Sequence, residues 1–128
     1  MKLIQIINML ESLIIMTNLS LSAKDSFYLN NTLITFEDKF NLYNEIKNNL
    51  LKQYASSRDG VNYTFKNDED KKLFFNELID LDNMDIDITV NKIKVGLSKL
   101  DKLGEVEPKH LYNVKDIIEF FDDTEKEK

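Results

Sequence analysis

Apolar residues return every three or four positions at the start of the chain, at Leu3, Ile6, Ile7, Leu10, Leu13 and Ile14, while Lys2, Gln5, Asn8, Glu11 and Ser12 occupy the opposite face. That period predicts an amphipathic first helix. It breaks over residues 17–21, where Thr, Asn and Ser side chains compete for backbone hydrogen bonds. Ser22 followed three residues later by Asp25 resembles a capping box with Asp replacing Glu, so a second helix is expected to begin there. Its apolar stripe runs through Leu29, Leu33, Phe36, Phe40, Tyr43, Ile46, Leu50 and Tyr54. A helix of roughly 30 residues would be about 45 Å long at 1.5 Å per residue. Two readings stand side by side: one continuous helix whose tail lies against a partner chain, or two ordinary helices split at Asn30, Asn31, Thr32 and Thr35, all modest helix formers.

Beyond that helix the period changes. Ser56, Ser57, Arg58, Asp59 and Gly60 read as a turn, and Val61, Tyr63 and Phe65 alternate with Asn62 and Thr64 as a short strand. Asn67, Asp68, Glu69 and Asp70 supply a cap and dipole-complementing acids to a helix bearing Leu73, Phe74, Leu78 and Leu81, with Phe75 and Ile79 widening its apolar face. Ile86, Ile88 and Val90 alternate with Asp85, Asp87 and Thr89; Asn91-Lys92 follows, then Ile93, Val95 and Leu97 alternate with Lys94 and Gly96. This pattern predicts a β-hairpin near residues 85–97 with one apolar and one charged face. Gly104 closes the next segment, and Pro108 opens a last amphipathic helix through Leu111, Val114, Ile117, Ile118 and Phe121. The expected fold is α+β: a helical hairpin or long helix pair, a small antiparallel β-sheet and a C-terminal helix. Residues 1–121 are expected to form one domain, and residues 122–128, without an apolar anchor, a charged tail.

Composition narrows the partners. The chain has 128 residues, 42% of them apolar, enough for one core. A net charge of −6 and lysines scattered at 24, 39, 47, 52, 71, 72 and 92 disfavour nucleic acid as the principal ligand, and they disfavour an anionic membrane surface too. The N-terminal segment imitates a signal peptide, but Gln5, Asn8 and Glu11 interrupt its apolar run, which keeps helical spacing instead. No run approaches the roughly 18 to 20 apolar residues that span a bilayer. With no cysteine, disulfides, thiolate metal sites and Cys nucleophiles are excluded.

Little in the chain suggests chemistry. His110 is the single histidine, and no G-x-S-x-G or Gly-rich phosphate loop accompanies it, so an exposed or capping role is expected. Asp80, Asp82, Asp85 and Asp87 form the densest acidic run. Asp80 and Asp82 begin like a calcium loop, but Met84 stands at its fifth position, Asp85 where glycine belongs and Asn91 where glutamate belongs. No catalytic residue, metal or cofactor is expected. In the pairs Phe74-Phe75 and Phe120-Phe121, one helix cannot aim both rings at the same surface, so either one ring of each pair is exposed or both sit in a wide apolar face. Phe74, Phe75, Phe120, Phe121, Phe40, Tyr43, Asp85 and Asp87 are therefore the candidate protein-interface residues.

The order of these features resembles a family of short tailed-phage proteins of unknown function. The features are the N-terminal helix, residues 21–24 (LSAK), a long helix ending at residues 50–54 (LLKQY), Asp59-Gly60 before Tyr63-x-Phe65, Ile86-x-Ile88 leading to Lys92-Ile93, and a final Ile117-Ile118-x-Phe120. The resemblance implies a non-enzymatic virion structural or assembly protein acting through protein contacts, with itself or with other virion proteins, in the host cytoplasm during expression or in the particle. The other expectation is a small regulatory binder whose acidic face inhibits a host protein.

Overall fold

The computed structural model describes residues 1–59 and 62–123. Helix α1, Leu3–Met16, turns back through residues 17–22 onto α2, Ala23–Tyr54, and the two pack along the first half of α2. Ser22 caps α2 as expected, its hydroxyl accepting from the Asp25 amide at 3.1 Å. Helix α2 is continuous over 32 residues. The weak formers in its centre keep the helix by bonding back one turn: Asn30 Nδ2 donates to the Ser26 carbonyl at 2.8 Å, Thr32 Oγ1 to that of Tyr28 at 3.0 Å and Thr35 Oγ1 to that of Asn31 at 2.9 Å.

Strands β1, Ala55–Asp59, and β2, Asn62–Phe65, pair antiparallel. The residues read as a turn from Ser56 to Asp59 are thus strand, and Gly60 and Val61 lie outside the described residues. Between Ala55 and Ser57 the register shifts, so Ser56 is a bulge. Helix α3, Asp68–Asp82, starts on the predicted cap, with Asn67 Oδ1 accepting from the Asp70 amide at 2.8 Å.

The class is α+β, but the predicted hairpin at 85–97 is not formed. Strand β3, Ile93–Gly96, pairs in parallel with β4, Ile118–Phe121, Ile93 opposite Ile118 and Val95 opposite Phe120. A two-residue primed turn needs positive φ, and no described residue other than Gly104 has it, so Asn91-Lys92 does not turn the chain back. The segment before β3 pairs instead with the N-terminus: the Ile86 amide donates to the Met1 carbonyl at 2.8 Å, and the Leu3 amide to that of Met84 at 2.9 Å. Leu97, expected in the hairpin, begins a 3-10 helix, Leu97–Leu103, closed by Gly104 at φ 75°. Helix α4, Pro108–Asn113, carries Pro in its first turn but ends before Val114, and the segment read as its continuation is a turn over residues 114–117 followed by β4.

The main core joins Ile6, Met9, Leu10, Leu13 and Met16 of α1 to Leu29 and Phe36 of α2, Ile93 and Val95 of β3, and Val114, Ile117 and Ile118. The buried face of α1 is rotated from the predicted one. Ser12 is inside, whereas Ile14 is exposed.

Candidate functional site

Helix α4 lies across α1, and the contact is not wholly apolar. Ser12 and His110 are both buried there, Ser12 Oγ 2.8 Å from His110 Nδ1, and Asn113 Nδ2 donates to the same oxygen at 3.1 Å. The Ser12 oxygen has a second lone pair and its own proton, so the Ser12–His110 hydrogen bond runs in the direction set by the imidazole tautomer. His110 is therefore a buried partner of Ser12 and not the exposed or capping residue expected. Serine–histidine pairs suggest nucleophilic catalysis, but this hydroxyl is 0% exposed, so no substrate reaches it. What the cluster does is satisfy three polar groups inside a helix contact.

A second polar contact ties α2 to α3: the Tyr43 hydroxyl donates to Asp82 Oδ1 at 2.8 Å. Burial first, and then the hydrogen bond and charge of Asp82, push the Tyr43 phenol well above its usual range. Tyr43, expected at an interface, is thus internal. Phe40, another candidate, is half-buried against the main core.

The aromatic pairs each divide. Phe74 is fully buried, its ring 5.6 Å from that of Tyr63 and 5.3 Å from that of Phe65, while Phe75 beside it on α3 is 37% exposed. Phe120 packs partly on the core and Phe121 is 41% exposed, because β4 sends adjacent side chains to opposite faces. Asp85 and Asp87 are exposed, Asp85 bridging to Lys2 through the backbone. The acidic run does not gather into one site: Asp80 and Asp82 belong to α3, with Asp82 engaged by Tyr43, and Asp85 and Asp87 lie beyond it. Among the described residues, no three His, Asp or Glu side chains converge as a metal site, and no helix is long and apolar enough to cross a membrane.

The most exposed apolar residues along α2 were not among the candidates. Phe27 is 68% exposed and Ile34 60%, and both stand on the face turned away from the core. Neither falls on the stripe that runs through Leu29, Leu33, Phe36 and Phe40. Their seven-residue spacing, out of phase with that stripe, was the signal that marks them as a second face.

No family model matches the chain, and no curated protein or solved structure matches it either.

Proposed function

We propose that this chain is a non-enzymatic, phage-encoded virion structural or assembly protein that acts through protein–protein contacts. The observation that carries the contact part is the outer face of α2, which presents Phe27, Ile34 and Leu42 to solvent along a helix of 32 residues already packed on its other side. Exposed aromatic and aliphatic anchors on a rigid element are what protein partners bind. The phage and virion part rests on the order of sequence features described above. Inaccessibility of the Ser12–His110 pair favours a role without catalysis. An acidic-face inhibitor of a host protein is less favoured, because Asp82 is occupied by Tyr43 and the other acids are dispersed.

Quantitative mass spectrometry of purified particles tests the reading. Incorporation at fixed stoichiometry to the major structural protein is the expected result. Absence from particles, together with absence from assembly intermediates, overturns it.

A further inference from the structure

The outer face of α2 is complementary to itself. Phe27 and Ile34 protrude from it, and between and beside them Ala23, Ser26, Asn30 and Asn31 leave an open hollow of about 260 Å³. Phe27 and Ile34 stand two helical turns apart on one face, so an antiparallel copy of the same face lays ring against aliphatic side chain at both ends of the contact.

We propose that two copies of this chain pair through this face, their α2 helices antiparallel about a twofold axis between Asn30 and Asn31. An interface about a twofold axis uses the same patch on both copies. That axis sets Phe27 of each copy against Ile34 of the other and each Asn30 beside the second copy's Asn31, where the two amides can exchange hydrogen bonds. It also brings Lys24 of each copy beside Asp38 of the other, on the same flank of the contact. Both are exposed, and the Lys24 ammonium lies over the ring of Tyr28 at 5.8 Å. A parallel pair would leave each Lys24 and Asp38 about 20 Å apart along the axis and both ion pairs unmade, so charge favours the antiparallel orientation. Two local ion pairs also offset the repulsion between copies that each carry a net charge of −6.

The contact from residue 23 to residue 38 is about 24 Å long at 1.5 Å per residue. That is small for a specific interface, so the pair dissociates in the micromolar range, a strength suited to subunits held at high local concentration. The inference rests on the protein-contact half of the proposed function and is independent of the virion half.

Sedimentation equilibrium of the full chain across the micromolar range is the test. A monomer–dimer equilibrium is expected. Ile34→Asp and Phe27→Lys should each raise the dissociation constant at least about tenfold, by setting an unpaired charge against the second copy. Both sites are exposed, so circular dichroism and thermal midpoint should hold. Lys24→Glu or Asp38→Lys alone should weaken the dimer several-fold, and the two reversals combined should restore it. Because the chain has no cysteine, a spin label on Glu45→Cys gives a clean distance. An antiparallel pair separates the labelled positions by about 44 Å along the axis, whereas a parallel pair puts them side by side. A monomer throughout the range, a dimer indifferent to both apolar substitutions, or a double reversal that fails to restore pairing overturns the inference. A monomer still found in particles would sink the pairing and leave the virion reading; a dimer absent from particles would do the reverse.

Discussion

Ser12 is the one hydroxyl on a buried helix face otherwise lined by Ile6, Met9, Leu13 and Met16, and it is held there by two partners from α4. Ser12→Ala deletes the acceptor of Asn113 and the partner of His110 Nδ1 at once. Leaving buried polar groups unpaired costs about 1 to 3 kcal/mol, to be read from urea unfolding. Tyr43 makes a prediction in pH. The fold keeps its phenol protonated beyond the pH at which the unfolded chain releases that proton, near 10. Its contribution is therefore whole below pH 10 and declines as pH rises above it, because there the unfolded state binds fewer protons than the native one. Urea midpoints should fall with alkaline pH more steeply for the native chain than for Tyr43→Phe; equal slopes would refute the assignment. Gly96 matters through close approach: a β-carbon there would strike the Asp123 carboxylate, which accepts from the Ser98 amide and hydroxyl. Gly96→Ala should displace Asp123, seen as a shift of the Ser98 amide resonance with little change in overall stability.

At the scale of elements, helix starts were legible because caps are local: Ser22, Asn67 and Pro108 stand where periodicity and cap chemistry place them. Strand partners were not. Ile93-x-Val95 has the alternation of either a hairpin arm or a parallel strand, and Ile117, Ile118 and Phe121 suit a helix face as well as they suit β4. The parallel pairing predicts that Ile118→Asp, burying a charge against Ile93 and Val95, costs several kcal/mol. Lys94→Ala removes only an exposed 3.7 Å contact to Glu119 and should be nearly neutral. Nuclear Overhauser contacts should connect β3 to residues 118–121 and not to residues 86–90; the opposite result would restore the hairpin.

On the scale of the whole molecule, α2 joins two apolar regions. Its N-terminal half supplies Leu29 and Phe36 to the main core, and its C-terminal half packs with α3, where Tyr43 and Leu51 are buried and Phe74 sits under Tyr63 and Phe65. Phe36→Ala should cost about 3 to 5 kcal/mol, the usual penalty for emptying a fully packed aromatic site. Phe74→Ala should raise amide exchange first in β1, β2 and α3 and leave α1 protected, since none of its ring partners lies in the main core. Uniform loss of protection would show that the two regions open together.

The chain by itself determined where helices begin, which stripe of α2 faces inward and that residues 63–65 are a strand. These follow from side-chain period and cap chemistry, which act over one or two turns. Tertiary structure alone decided that Asp85 and Ile86 join the N-terminus, that β3 finds β4 rather than its sequence neighbour, and that His110 meets Ser12. Each depends on which apolar surfaces cover one another across the chain, and alternation or helical period marks such surfaces without saying which of them meet.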